Sequence, residues 1–280
     1  MRIKVTADST CDLTRELLAA NDITLTPLIV IKDNEEFYDG ETITPNVIFD
    51  HVANGGDLCS TAARSVGYYQ DVFAKFASEY DGVVHISIGS GFSSSYQNAS
   101  LAAEEFDNVR VIDSQNLTTG QGFIVLEAVK LAKTCTSLDE LQSKLEDFSS
   151  RVEVSFVLDR LEYMVKGGRC SAAAALGANL LNLKPCIEVK NGKMSVVKKY
   201  RGNYAKCLTN YVKDRLADRE DLDKGTLFVT RTPITDECMC AVQEAVSAYN
   251  DFETTYWNEA GCTVSCHCGP GTLGVLFVRK

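Results

Sequence analysis

Gly82 to Ser100 constrains the fold of this chain more than any other stretch. Its first part, Val83 to Ile88, is a mostly apolar run of strand length that stops at Gly89-Ser90-Gly91, where glycine lets the backbone turn sharply. Ser93, Ser94 and Ser95 follow, and Tyr96, Ala99, Ala102, Ala103 and Phe106 then recur at helical spacing, so one of the three hydroxyls caps a helix. Hydroxyl and backbone N–H donors converging at a helix start outline an anion site. The plain alternative is a serine-rich turn whose only task is the cap. A dinucleotide fingerprint requires glycine where Ser94 stands, and a hydrolase nucleophile elbow requires glycine where Ser95 stands, so the loop completes neither.

Around this unit, 280 residues with 45% hydrophobic content suffice for two ordinary cores. A formal charge of −10 leaves no global positive field for nucleic acid. Met1 to Val5 runs straight into a strand-like pattern, and no apolar run approaches a membrane span, so a cytoplasmic location is expected. The 11 cysteines are odd in number and scattered, which reads as reduced thiols rather than a disulfide framework. Cys262, Cys266 and Cys268 around His267, with Cys238 and Cys240 upstream, lack the paired spacing of common zinc sites. No metal is expected, and the thiols read as small buried apolar side chains.

Ile3 to Ala7 reads as a first strand ending in Asp8-Ser9-Thr10-Cys11-Asp12, ahead of a helix from Leu13 to Ala20. Asp8 and Ser9 either cap that helix or hold a functional place at the strand's carboxyl end. Ile23 to Ile31 reads as one further strand, followed by an acidic excursion through Glu36, Tyr38 and Asp39. Pro45 opens a short helix. The loop Asp57 to Gly67 leads to a helix from Val66 to Ser78, which Thr61 caps unless it binds a ligand. A strand at Val109 to Ile112, an apolar helix opened by Gly120-Gln121-Gly122 and a capping box at Ser137 and Glu140 complete an alternating pattern. Such alternation predicts a mainly parallel sheet covered by helices.

The second half predicts a mixed sheet with helices: a strand from Val152 to Leu158, a short helix closed by Lys166-Gly167-Gly168-Arg169, and a hairpin turning at Asn191-Gly192. Ser171 to Leu181 is rich in alanine and leucine on all sides, which predicts a helix buried all round. Lys184, Lys190, Lys193, Lys198, Lys199, Arg201 and Lys206 form a basic patch opposed only by Glu188, either a solvated face or a docking surface. Helices at Tyr204 to Leu216 and Asp236 to Tyr249 alternate with strands at Thr226 to Thr230 and Thr254 to Trp257. Near the end, His267 precedes Gly269-Pro270-Gly271, a rigid turn that fixes where the imidazole points, before a last strand at Val275 to Val278.

Several of these stretches together resemble the DegV family in order and spacing, across essentially the whole chain. They are Ala7-Asp8-Ser9-Thr10, Gly91-Phe92-Ser93-Ser94-Ser95-Tyr96-Gln97, Lys166-Gly167-Gly168-Arg169, Leu181-Asn182-Leu183-Lys184-Pro185, Arg201-Gly202 and His267-Cys268-Gly269-Pro270-Gly271. The resemblance implies two α/β domains, residues 1–155 carrying hydroxyl-rich head-group loops and residues 156–280 forming an acyl-chain pocket. It implies one long-chain fatty acid, such as palmitate or stearate, in an internal tunnel, and no cofactor. Such a protein is a lipid-binding carrier rather than an enzyme: the binding subunit of a bacterial fatty-acid kinase in phospholipid metabolism. It presents the carboxylate to a separate dihydroxyacetone-kinase-like subunit, and transient contact with a membrane surface is compatible with that task.

By position, the family's carboxylate-binding threonine and serine fall on Thr61 and Ser93, with Arg201 and His267 beside the head group. Asp8, Ser9, Ser94, Ser95 and Arg169 are the surrounding candidates. Ser94 stands where the family usually has glycine, and Arg64 stands near its usual proline. Two other readings use these residues. A serine hydrolase or acyltransferase takes Ser93 as nucleophile, His267 as base and Asp8 or Asp113 as orienter. An interaction module docks through the Lys184 to Lys206 patch.

Overall fold

The computed structural model describes residues 1–175, 183–249 and 251–280. They divide into two compact units, one of Met1–Thr44, Cys59–Arg151 and Gly261–Thr263, the other of Pro45–Leu58, Val152–Ala260 and Val264–Lys280. Both units are α/β.

The strands of the first unit are β1 (Ile3–Asp8), β2 (Thr24–Thr26), β3 (Ile29–Lys32), β4 (Glu35–Tyr38), β5 (Ser60–Ala62), β6 (Gly82–Ser87) and β7 (Val109–Asp113). Four of them form a wholly parallel sheet in the order β2-β1-β6-β7. Pairing of Ala7 with Ile86, and of Ser87 with Asp113, brings Asp8, Ser87 and Asp113 to the same carboxyl edge. Strand β6 is buried along its whole length, as its apolar run requires. Helices Val66–Ala77 and Ser95–Ala103 close over this sheet through Tyr69, Phe73, Ala99 and Ala102, packed with Val83 and Val109. The capping box forms: Ser137 Oγ accepts from Glu140 N at 3.1 Å, while Glu140 accepts from Thr136 N at 2.9 Å.

The single strand expected over Ile23 to Ile31 is two strands in two sheets. Pro27 has no N–H to donate to a ladder, so the chain leaves the parallel sheet there. Strand β3 then starts a small antiparallel sheet ordered β4-β3-β5, which places Thr61 opposite Val30. Thr61 is therefore a strand residue and does not cap the following helix. That task belongs to Ser65, whose Oγ accepts from Tyr68 N at 3.3 Å.

The second unit contains β8 (Val152–Val157), β9 (Leu183–Lys190), β10 (Lys193–Arg201), β11 (Leu222–Arg231), β12 (Thr254–Glu259) and β13 (Leu273–Arg279). They form a mixed sheet ordered β10-β9-β8-β13-β11-β12, in which only β11 and β12 run parallel. Asn191 and Gly192 turn the β9-β10 hairpin with φ of 50° and 68°. Helices Tyr204–Leu216 and Asp236–Ser247 cover the sheet with Leu208, Tyr211, Val212 and Val242 against Leu227, Val229 and Phe277. The buried Tyr211 hydroxyl donates to Ser155 O at 2.7 Å and accepts from Val275 N at 2.8 Å, so its polar atom is satisfied inside the core.

Of the alanine-rich segment, the described part is a short helix, Ser171–Ala174, in which Ala173 is buried while Ser171 and Ala174 are exposed. That part is not buried all round, because one turn of small residues has only one face against the protein. Residues 176–182, including Leu181 and Asn182, lie outside the described residues. Every cysteine is a free thiol, and Cys240 alone is exposed. No helix among the described residues is long and apolar enough to cross a membrane.

Candidate functional site

At the carboxyl edge of the first unit, Asp8 is fully buried and both of its oxygens are engaged. Thr26 Oγ1 and Tyr69 OH donate to Oδ1 at 2.9 and 2.7 Å, and Ser87 Oγ and Ile88 N donate to Oδ2 at 2.7 and 2.9 Å. His85 Nε2 approaches Oδ1 to 3.3 Å. Burial alone would push this carboxyl up, but the His85, Ser87 and Tyr69 contacts together outweigh it and hold it below the ordinary range. Asp8 thus fastens the ends of β1, β2 and β6 to the helix that carries Tyr69.

Ser9 donates its hydroxyl to Asp39 Oδ2 at 2.9 Å and accepts from Leu28 N at 3.1 Å. Asp39 in turn accepts from Cys262 N at 2.8 Å and Thr263 N at 3.2 Å, capping the helix Cys262–Cys268. Beside it, Asp12 takes the Thr118 hydroxyl at 2.6 Å. Burial, reinforced by the Asp39 charge, pushes the Asp12 carboxyl well above its usual range.

In the hydroxyl loop the helix starts at Ser95, and the capping oxygen is that of Ser93. Its Oγ accepts from Ser95 N at 3.2 Å and lies 2.9 Å from Ser95 Oγ. Ser94 is exposed at φ −77°, a conformation any residue adopts. Ser95 is buried, as is Tyr69, whose phenol is raised by burial and by Asp8. Half-buried Ser93 thus meets buried Ser95, while the Tyr69 hydroxyl is held by Asp8. Thr61 is also half-buried, on β5, and the loop after it is tied to the serine helix by Asn98 Nδ2 donating to Arg64 O at 2.7 Å. Asp113 accepts from Ser90 N and Oγ at 3.0 and 2.6 Å and from Gln115 N at 2.9 Å. As orienters for a serine–histidine pair, Asp8 and Asp113 are thus already committed to holding strand ends and turns.

In the second unit, His267 sits one residue before the end of the helix Cys262–Cys268. Gly269, at φ 71°, terminates that helix by donating its N–H to Ser265 O at 3.0 Å. The imidazole lies against Gly167, where a Cβ would come within 2.3 Å of Nδ1. Arg169 Nη1 donates to Gly167 O at 2.7 Å. Burial, helped by the Arg169 charge, pushes His267 down to about 4, so its ring is neutral at physiological pH and retains an N–H to donate. Arg201 ends β10 with an exposed guanidinium that has no ion pair among the described residues. Thus His267 and Arg169 are neighbours, as are Ser93 and Ser95, while Asp8 and Ser9 have separate partner sets.

The family model described as "Uncharacterised protein, DegV family" matches residues 2–280. The chain belongs to the DegV family. A DegV domain-containing protein of Clostridium acetobutylicum is 30% identical over 283 residues, covering 100% of this chain and 99% of the relative. A DegV family protein of Thermus thermophilus, whose structure concerns its fatty acid binding, superposes with a TM-score of 0.91 at 31% identity over 100% of both chains. A stearic acid-binding protein of Eubacterium ventriosum superposes with a TM-score of 0.81 at 28% identity, over 99% of this chain and 98% of that one.

Within this DegV fold, five of the six sequence marks fall at chain reversals: the ends of β1 and β10, the turn after β6 and the ends of two helices; the sixth begins outside the described residues and runs into β9. Tyr69, Thr26, Ser87, Asp39 and Asn98 carry the polar networks there. None is visible as a motif, since each acts through contacts distant in sequence. Only the odd polar residue at the end of an apolar strand, such as Ser87, was a signal.

Proposed function

We propose that this protein binds one long-chain fatty acid and presents its carboxylate to a separate dihydroxyacetone-kinase-like subunit, which converts it to acyl phosphate. The full-length likeness to the fatty-acid-binding Thermus protein carries this reading, and the likeness to the stearic acid-binding protein supports it. In this reading residues 1–155 supply the head-group loops and residues 156–280 the acyl pocket, in a cytoplasmic carrier that touches membranes transiently.

A carboxylate removed from water needs several donors and a nearby cation. Thr61 and Ser93 are the proposed hydroxyl donors, neutral His267 the N–H donor and Arg201 the cation, with Arg169 behind the imidazole. Ser93 suits the role because its oxygen is fixed at the helix start, where it accepts from Ser95 N. At about 0.8 kcal/mol per buried methylene, a tail of fourteen gains roughly 11 kcal/mol before ordering costs. The tail therefore sets affinity and the head sets register. No nucleophile is required of the carrier, because the kinase supplies nucleotide and magnesium.

Native mass spectrometry of the freshly purified protein, with extraction and identification of the lipid, tests the reading. One acyl chain per polypeptide is expected, exchanging faster in Ser93→Ala and His267→Ala. A protein free of lipid that takes up no palmitate, or steady ester turnover abolished by Ser93→Ala, overturns it.

A further inference from the structure

Arg64 follows Thr61 by three residues, and its side chain has an unusual environment. The guanidinium carbon lies 3.6 Å from the centre of the Tyr68 ring and 4.7 Å from that of Tyr38. Nε is buried with no hydrogen-bond partner. Among the described residues no carboxylate forms an ion pair with this guanidinium, and exposed Glu41 nearby is not engaged by it.

Burying part of a guanidinium without an acceptor is unfavourable, and two phenol rings supply only part of the lost hydration. The stacking does something else. It holds a planar, permanently charged fork in one orientation, which lowers the ordering cost of gripping an oxyanion. The backbone is held as well, since Arg64 O accepts from Asn98 on the helix that begins beside Ser93. Ser65, the next residue, caps the helix that carries Tyr68. Cation, ring and loop are thus fixed together within the first unit, in the segment that also contains Thr61.

We propose that Arg64 recognises the phosphoryl group of the acyl phosphate, a ligand distinct from the fatty-acid carboxylate. This rests on the fatty-acid reading above. A carboxylate has one negative charge and two oxygens, which Thr61, Ser93, His267 and Arg201 suffice to meet. Phosphorylation adds further terminal oxygens and a second charge, which the single cation of that set does not neutralise. A preorganised guanidinium just past Thr61, with no internal carboxylate, fits that added group. Arg64 in this role binds and orients and performs no chemical step.

The test compares palmitate with hexadecylphosphonate at about pH 9, where the phosphorus head on a similar chain is mainly dianionic, in wild type and in Arg64→Gln. Displacement of a fluorescent fatty acid is the readout. Arg64→Gln is expected to weaken the phosphonate about tenfold while palmitate stays within about twofold, and Arg64→Lys to restore only part of the loss. If Arg64→Gln does not fold, Tyr68→Leu, which removes the nearer ring, is read in the same way. Equal losses for both ligands, or no loss for either, overturn the assignment of Arg64 and leave fatty-acid binding intact. Binding of inorganic phosphate that depends on Arg64, without phosphonate discrimination, makes this a free-anion site and also overturns it. A wild-type protein that binds neither acyl ligand overturns the fatty-acid reading itself.

Discussion

Gly167 and the His267 imidazole are in such close contact that a methyl group on Gly167 would stand 2.3 Å from Nδ1. The Gly167 backbone is not in the left-handed region, so alanine there meets no conformational penalty and acts through this clash alone. The ring must move. Gly167→Ala is expected to leave the fold cooperative and to raise palmitate dissociation about tenfold, with the His267 ring signals shifted in NMR spectra. Unchanged ring signals together with unchanged dissociation would separate His267 from the head group.

The same imidazole makes stability depend on pH. Burial and the Arg169 charge hold folded His267 at about 4 against an ordinary 6.5, so the unfolded chain takes up a proton first as pH falls. Stability is therefore retained above the ordinary value and lost between roughly 6.5 and 4, by at most about 3 kcal/mol. Asp8, held below its ordinary 3.8, loses its own contribution only further down. Urea unfolding across this range should show the first loss flattened in His267→Asn. An identical slope in the variant would show that the ring does not titrate as its burial requires.

Asp12 has the opposite sign. Its folded value is raised, so its contribution is present below the ordinary carboxylate value of 3.8 and lost as pH rises toward the folded value. It also sits at φ 49°, a left-handed conformation that asparagine tolerates, and asparagine can still accept the Thr118 hydroxyl. Asp12→Asn should gain about 1 kcal/mol at pH 8 and nothing near pH 4. Lower stability of the variant at pH 8 would mean that the charged form is the one the fold accommodates.

Asp8 was open to two readings in the sequence, a cap or a functional group. The structure places it at the centre of four hydrogen bonds from Thr26, Tyr69, Ser87 and Ile88. Asp8→Ala strands those donors in a dry interior, and a loss of about 3–5 kcal/mol in urea unfolding is expected. A loss below about 1 kcal/mol would mean that the donors find other partners.

What was legible in the sequence was what neighbouring residues decide among themselves. Val83 to Ile88, the Asn191-Gly192 turn and the Ser137 to Glu140 box each contain their own signal, and each formed as read. The break at Pro27 was visible in principle, since proline cannot sit in a central ladder, but the strand-like residues on both sides masked it. The helix Cys262–Cys268 was not legible. Its cysteines and β-branched residues favour helix weakly, and its cap is Asp39, more than 200 positions earlier. The bond from Tyr69 to Asp8 was hidden for the same reason. Tyr69 looks in sequence like an ordinary core residue of an amphipathic helix.

Ser94 is the place where this chain departs from the glycine usual in the resemblance, and its geometry bears on whether the head-group loop is altered. At φ −77° and ψ 2° the residue lies where serine is unstrained, and its side chain is exposed and makes no capping hydrogen bond. Glycine is thus not required for the turn as it is built here, and the fixed oxygen belongs to Ser93 instead. Ser94→Gly should lower stability by about 0.5 kcal/mol, because the unfolded chain gains freedom, and leave palmitate affinity within about twofold. Measured by urea unfolding and ligand displacement, an affinity gain of about fivefold or more would show that the Ser94 side chain obstructs approach to Ser93.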